Sequence, residues 1–228
     1  MLSAIAIVPS APVMVPELAS SAAAETEDLR RAALAAAKEL PARWIAVGVA
    51  PADGVYGSES VGTFAGYGVD VRVGLSSGGA GAPTALPLCA LVAGWLRGLA
   101  RPDAHVEVHS FRADRDAESA AGLGRQLRAQ IDSAGDDVGV LVVADGANTL
   151  TAAAPGGYAP EAVPAQAALD DALSAGDAAA LAGLSGGAVG RVAYQVLAGL
   201  VVTGPRSAKA LYRGAPYGVG YFVGVWTP

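Results

Sequence analysis

The sequence contains one cysteine, two histidines and relatively few basic residues among its 228 positions. The single cysteine, Cys89, excludes an internal disulfide and any metal cluster held by several thiolates. Fifteen Lys and Arg stand against twenty-one Asp and Glu, which gives a formal net charge of −6. This balance argues against electrostatic binding to nucleic acid or to another polyanion.

Long apolar runs are also missing, although the mean hydropathy is high at +0.41. Much of that value comes from alanine, and no uninterrupted apolar run reaches the roughly 18 residues that a membrane span needs. The first residues, Met1 to Val8, carry no Lys or Arg before Pro9, so they lack the charged start of a secretory signal. We therefore expect a cytoplasmic protein that does not span a membrane.

Acidic residues are absent from the last part of the chain, residues 178–228, which holds four basic residues, Arg191, Arg206, Lys209 and Arg213. Any chemistry that needs a carboxylate must therefore use the first 177 residues. Asp53 and Asp145 are the best placed, because each follows a predicted buried strand, where parallel strands open onto a ligand crevice. Turn formation and helix capping remain the alternative role for both.

Short apolar runs alternate with helical patterns along the first two thirds of the chain. The predicted strands are 2–8, 44–49, 69–73, 105–111 and 138–143, with a polar loop over 51–68. Helices are predicted after Glu25, over 86–99 and over 114–134, then as alanine-rich stretches up to about residue 200, and a closing hairpin over 211–226. This order predicts one α/β domain over residues 1–228, with a central mixed, mostly parallel sheet flanked by helices.

The glycine and histidine patterns do not indicate a nucleotide or metal site. Gly122 and Gly124 lie inside a predicted helix, and Leu127 occupies the place of the third glycine in a dinucleotide fingerprint. The two histidines, His105 and His109, lie on a predicted strand, where four residues span roughly 13 Å. That separation prevents them from sharing one metal ion.

Three ordered segments resemble the class III extradiol ring-cleavage dioxygenases of the catalytic (B) subunit type. They are residues 8–18 (VPSAPVMVPEL), residues 145–158 with Asp-Gly-Ala-Asn-Thr-Leu and Pro-Gly-Gly-Tyr, and residues 215–221 (APYGVGY). The likeness spans nearly the whole chain and is greatest to an alanine-rich actinobacterial subgroup of that family. It implies the extradiol dioxygenase B-subunit-like fold.

The same resemblance implies that the family's iron site is lost. These enzymes hold Fe(II) through two histidines and one carboxylate, and they use a further histidine for proton transfer. The two ligand histidines correspond here to Ser10 and approximately to Ala52, and the proton-transfer histidine corresponds to Asn148. The carboxylate ligand comes late in these chains, where this sequence has no acid beyond Asp177. We therefore expect no metal site and no cofactor.

Two main hypotheses follow for function. In the first, the chain is a non-catalytic family member whose crevice, lined by Ser10, Asp53, Asn148 and Tyr158, binds a small molecule or a partner segment. In the second, the crevice performs different, metal-independent chemistry, with Asp53 or Asp145 as general base and Asn148 as an orienting or oxyanion group.

Two further possibilities stay open beside these. Residual metal-dependent dioxygenase activity would have to use unrecognised ligands such as His105 or His109, and a purely structural role would need no site. Aromatic residues also gather near the end of the chain, at Tyr212, Tyr217, Tyr221, Phe222 and Trp226. Because large apolar patches usually mark interfaces, we expect a homodimer.

Overall fold

Strands form where short apolar, β-branched runs are bounded by proline, glycine or charged residues. The computed structural model describes the backbone of residues 1–228 and every side chain except that of Ser21. The strands are β1 (Leu2–Val8), β2 (Arg43–Ala50), β3 (Gly54–Tyr56), β4 (Val61–Thr63), β5 (Arg72–Gly74), β6 (His105–Arg112), β7 (Val138–Val143), β8 (Ser207–Gly214) and β9 (Tyr221–Thr227). The helices are α1 (Pro16–Ala19), α2 (Glu27–Lys38), α3 (Leu88–Ala100), α4 (Ala117–Ser133), α5 (Ala162–Ala175), α6 (Ala178–Ala182) and α7 (Arg191–Leu200).

The main sheet has seven strands in the order β3-β6-β2-β7-β1-β9-β8. The inner strands β6, β2, β7 and β1 are parallel to one another, and Val8 at the end of β1 lies beside Val143 at the end of β7. The outer strands β3, β9 and β8 are antiparallel to their neighbours. The predicted α/β fold with a mixed, mostly parallel sheet is confirmed.

Helices cover both faces of this sheet and form a separate apolar core on each. One core packs α2 and α3 against side chains such as Val8 and Val143. The other packs α4, α5, α6 and α7 against side chains such as Val142. Burial on both faces explains the continuous apolar sequence of β7, all of whose residues are buried. No helix in the part of the chain that the structure describes is both long and apolar enough to cross a membrane.

Residues 51–73 differ from the sequence prediction. The predicted loop 51–68 contains β3, an edge strand beside β6, and also β4. The strand predicted over 69–73 forms only over Arg72–Gly74, and it pairs with β4 in a separate two-stranded sheet. Strands of three residues are too short to show an alternating pattern, so the sequence carries little signal for them.

The aromatic residues near the end of the chain mostly belong to the interior. Phe222 and Trp226 are 1% and 0% exposed, and the Trp226 indole donates a hydrogen bond of 2.9 Å to the Leu173 carbonyl. Tyr221 is also buried, while Tyr217 remains 44% exposed. These residues therefore do not supply the apolar surface from which dimerisation was inferred, and the homodimer stays a prediction without that support.

Candidate functional site

At the carboxyl ends of the adjacent strands β1 and β7, the chain continues to opposite faces of the sheet. After β1 the chain continues to α2 on one face, whereas after β7 it continues to α5, α6 and α7 on the other face. Such divergence between adjacent parallel strands leaves a crevice at their carboxyl ends, the usual ligand position of open α/β sheets. Ser10 and Asp145 both lie there, as the sequence predicts.

Ser10 and Asp145 are joined directly across this crevice. The Ser10 backbone N–H donates a hydrogen bond of 2.7 Å to Oδ1 of Asp145. Just before it, the Ala144 N–H donates to the Val8 carbonyl at 2.9 Å, which holds the two strand ends together. Within the described residues, Oδ2 of Asp145 accepts no hydrogen bond, yet it is not sealed from solvent. One carboxylate oxygen is therefore held by the protein and the other is free of protein hydrogen bonds.

The charged form of Asp145 is poorly stabilised by its surroundings. Burial raises the pKa of this carboxyl from its ordinary value of 3.8 to about 7, and the Ser10 N–H offsets part of that increase. Among the described residues, no Lys, Arg or His side chain contributes to the pKa of Asp145. A largely desolvated carboxyl without a counter-cation changes its ionisation near neutral pH.

Two tyrosines border Asp145 from opposite faces of the sheet. Burial, and then the Asp145 charge, raise the pKa values of Tyr194 on α7 and Tyr221 on β9 above their ordinary value. The Tyr194 hydroxyl donates to the Ala144 carbonyl at 3.0 Å. Tyr221 is only 6% exposed and packs in the core on the α2 and α3 side of the sheet. Sequence reasoning missed both tyrosines as site residues.

The loop that carries Asp145 is held by backbone hydrogen bonds on both sides. The Gly146 N–H donates to the Gly220 carbonyl at 2.8 Å, and the Gly220 N–H donates to the Ala147 carbonyl at 2.7 Å. On the other side, the Val189 N–H donates to the Gly146 carbonyl at 2.9 Å. These contacts fix the position of Asp145 relative to the C-terminal hairpin.

Gln166 is a second residue that sequence reasoning missed. Its Oε1 accepts the Ala147 N–H at 2.7 Å, and its Nε2 donates to Asp170 at 2.8 Å. A Cβ at Gly146 or Gly220 would lie only 2.1 or 2.3 Å from this side chain, so a larger residue at either position would displace the Gln166 amide. One signal could have identified Gln166. It is a single glutamine on the helix face that also carries Leu169 and Leu173.

Asn148 and Tyr158 lie further along the same loop. The Asn148 carbonyl accepts the Gly156 N–H at 2.9 Å, and the Asn148 side chain is partly buried. Leu150 pairs with Tyr158 in an isolated bridge, and the Tyr158 side chain is 57% exposed. Asn148 is thus three residues from Asp145 along the loop, whereas Tyr158 presents most of its ring to solvent.

Asp53 has a different environment from Asp145. Its Oδ1 accepts the Arg112 N–H at 2.8 Å, and its Oδ2 forms an ion pair with Arg115. No hydrogen bond joins Asp53 to Asp145 or Asn148 among the residues that the structure describes. The structure therefore brings Ser10 and Asp145 together but uses Asp53 to tie the segment after β2 to the segment after β6.

The residues at the positions implied for an iron site do not fit Fe(II). Within the described side chains, no group of three or more His, Cys, Asp or Glu could hold a metal ion. The Ala52 side chain has no donor atom, and the Ser10 N–H is directed at Asp145. His109 pairs with Glu107 at 2.8 Å on β6, away from β1 and β7. Two imidazoles and a carboxylate therefore do not converge at this crevice.

A cavity of about 230 Å³ lies on the α5 side of the Asp145 loop. Residues of α5, α6 and the segment 183–188 line it, and it shares Ala147 and Gln166 with the loop. Most of its lining consists of alanine, glycine and leucine, so it offers space but few groups that could orient a polar ligand.

Comparisons with known proteins support the fold alone. No protein-family model matches the chain, and no curated protein matches it. Among solved structures, an uncharacterized protein from Escherichia coli K12 matches with a TM-score of 0.57 and 11% sequence identity. The match covers 99% of this chain and 100% of the other. At this identity the similarity shows a shared α/β architecture over the whole chain.

Proposed function

We propose that this chain is a non-catalytic member of the class III extradiol dioxygenase B-subunit-like family, and that it binds a small molecule in the crevice between β1 and β7. The observation that carries this proposal is the Asp145 carboxyl. It lies at the divergence point of the sheet, keeps one oxygen free of protein hydrogen bonds, and has no counter-cation. An accessible carboxylate oxygen at the carboxyl ends of parallel strands lies where ligands of open α/β sheets usually bind.

The polar groups around this carboxyl support binding with a defined orientation. The Ser10 N–H fixes Oδ1 of Asp145, and Asn148 supplies a partly buried amide on the same loop. A small number of placed polar groups is typical of small-molecule sites. Iron-dependent ring cleavage lacks comparable support, because the necessary ligands are replaced by Ser10 and Ala52.

A second candidate function is metal-independent acid–base catalysis in the same crevice. It is favoured by the pKa of about 7 for Asp145, because a general base works best when its pKa is near the working pH. In this case Asn148 would orient the substrate or stabilise a developing oxyanion. Chemical turnover of a bound molecule, lost in Asp145→Asn, would distinguish this function from binding alone.

The binding proposal predicts that Asn148→Ala weakens ligand binding at least about tenfold but changes the free energy of unfolding by no more than about 0.5 kcal/mol. The reason is that a polar loop side chain contributes to a ligand contact and little to the core. A fragment collection screened by ligand-observed NMR, followed by affinity measurements and denaturant unfolding, tests both effects.

The control for this experiment is Tyr158→Phe, which alters a largely exposed side chain further along the same loop. Fragments directed to the crevice should bind this variant and the unmodified protein equally. If every fragment also binds Asn148→Ala and Asp145→Asn as tightly as the unmodified protein, the crevice is not the binding site.

A further inference from the structure

The cavity between α5, α6 and the segment 183–188 takes no part in the function proposed for the crevice. Its floor is buried, since Ala147, Gln166 and Leu169 are only 3%, 7% and 3% exposed. Ala165 and Ala168, which line it from α5, are exposed, so the cavity opens to solvent on that side. A small molecule can therefore enter from the surface and reach a buried floor.

Small side chains create the space in this cavity. Nine of its thirteen lining residues are alanine or glycine, and its volume is about 230 Å³. Protein interiors are close-packed, and voids larger than a water molecule are few in a domain. An apolar cavity of about 150 Å³ is large enough to hold benzene. By the same proportion, a cavity of this size accommodates a compact molecule of roughly nine heavy atoms.

The cavity offers no charge to a ligand. None of the lining residues that the structure describes is acidic or basic. The Asp170 carboxylate on the same helix accepts a hydrogen bond of 2.8 Å from Nε2 of Gln166 and pairs with Arg213 at 3.7 Å. A charged ligand would lose water at the buried floor without gaining an opposite charge, which is costly. The lining therefore selects an uncharged molecule.

Most polar groups at the floor are already paired within the protein. Oε1 of Gln166 accepts the Ala147 N–H at 2.7 Å, and the Ala147 carbonyl accepts the Gly220 N–H at the same distance. The Leu184 carbonyl accepts Nε2 of the fully buried Gln195 at 2.8 Å. The other polar side chain of the lining is Ser185, which is exposed at the rim. A ligand with a mostly apolar body and one hydroxyl or carbonyl group fits this distribution.

The walls of the cavity are held in place before any ligand binds. Ala188 pairs with Ala147 in an isolated bridge, and the Val189 N–H donates to the Gly146 carbonyl at 2.9 Å. The Gly190 N–H then donates to the Asp145 carbonyl at 2.8 Å. These contacts attach the segment 183–188 to the loop after β7. Such pre-formed, mostly apolar concave sites are typical of small-molecule binding.

We propose that this cavity is a second small-molecule site, and that it takes an uncharged, compact and mostly apolar molecule the size of a substituted six-membered ring. The inference goes beyond the function proposed for the crevice, because none of its arguments depends on a ligand beside Asp145. The volume sets the size of the ligand, and the uncharged lining with its paired polar groups sets the chemical class.

The test is NMR titration of the full, isotope-labelled chain with three probes that share one ring. They are cyclohexanol, cyclohexylamine and cyclohexanecarboxylic acid, of which the amine is a cation and the acid an anion at about pH 7. Cyclohexanol should bind saturably and shift the amide signals of Ala147 and Leu184 and the side-chain signals of Gln166. The two charged probes should bind at least about tenfold more weakly, because the lining leaves their charges unpaired.

Matched alanine substitutions on α5 locate the site. Ala168→Leu and Ala165→Leu place a larger side chain in the cavity, so each should weaken cyclohexanol binding at least about tenfold. Ala167→Leu is the control, because Ala167 is an exposed alanine of the same helix that does not line the cavity. That variant should bind cyclohexanol within about twofold of the unmodified protein, since leucine is nearly as good a helix former as alanine.

The outcomes separate this site from the crevice beside Asp145. Asp145→Asn should leave cyclohexanol binding unchanged, and loss of binding in that variant would place the probe in the crevice and overturn the second site. Equal binding of the charged and uncharged probes would refute the ligand class. Absence of saturable cyclohexanol binding would refute the site itself. The probe series and the signal shifts of the unmodified protein decide the question even if a leucine variant fails to fold.

Discussion

Asp145→Asn should stabilise the protein by roughly 2–4 kcal/mol at about pH 8 and leave its stability nearly unchanged at about pH 4. Burial raises the pKa of Asp145 from 3.8 to about 7, so the folded protein binds this proton more tightly than the unfolded chain does. Stability therefore falls as pH rises through this interval. Asparagine carries no charge at any pH, and its side-chain oxygen can still accept the Ser10 N–H.

The measurement is denaturant unfolding of both proteins across this pH range. Asp53→Asn serves as the matched control, because it removes a carboxylate that pairs with Arg115 and accepts the Arg112 N–H. That variant should be destabilised by about 1 kcal/mol at about pH 8. A destabilised Asp145→Asn protein, or one whose difference from the unmodified protein does not change with pH, would show that the Asp145 charge is compensated in the fold.

Gly124→Ala should destabilise the protein by roughly 2–4 kcal/mol. Helices α4 and α7 touch backbone to backbone at this position, since a Cβ on Gly124 would lie 2.0 Å from the Val196 carbonyl oxygen. The contact is reciprocal, because a Cβ on Gly199 would lie 2.0 Å from the Ala121 carbonyl oxygen. The added methyl group must push the two helices apart, and the apolar core beneath them loses contacts.

Gly122→Ala, on the same helix, is the control for this prediction. The nearest atom to a Cβ there is a terminal nitrogen of Arg125 at 3.6 Å, which is ordinary van der Waals contact. Alanine in a helix interior should then stabilise the protein by about 0.5–1 kcal/mol. Thermal or denaturant unfolding of both variants gives the comparison. Equal effects of the two substitutions would mean that α4 and α7 are not in close contact.

The central strands could be predicted from the sequence because helices cover both faces of the sheet, which requires mostly apolar residues along each strand. Residues 2–8 and 138–143 read as continuous apolar runs, since helices cover both faces of the sheet, and their predicted bounds agree with β1 and β7. The edge strand β3 and the small sheet of β4 and β5 could not be predicted. Their three-residue strands depend on pairing with distant residues, which leaves no local pattern.

The candidate site could also be predicted only in part, because its contacts come from residues that are distant in the sequence. Asp53 and Asp145 look equivalent in the sequence, because each follows a buried strand, but their partners arrive from other parts of the chain. The Arg115 side chain reaches Asp53 from the segment before α4, whereas only a backbone N–H reaches Asp145. Likewise, the sequence predicts that Tyr221 belongs to an apolar surface. Only the position of β9 beside β1 shows that it is buried. Which carboxylate lacks a counter-charge is therefore a property of the fold.

Anaerobic reconstitution of the full chain with Fe(II) is the most direct way to distinguish a non-catalytic binding protein from a ring-cleaving dioxygenase. Elemental analysis and oxygen uptake with protocatechuate, catechol and related diols should follow. We predict iron far below one equivalent per chain and no diol-dependent oxygen consumption, because no group of three or more His, Cys, Asp or Glu among the described side chains could hold a metal ion. Near-stoichiometric iron together with diol-dependent oxygen consumption would contradict the account, since it would require an iron site that the Ser10 and Asp145 crevice does not provide.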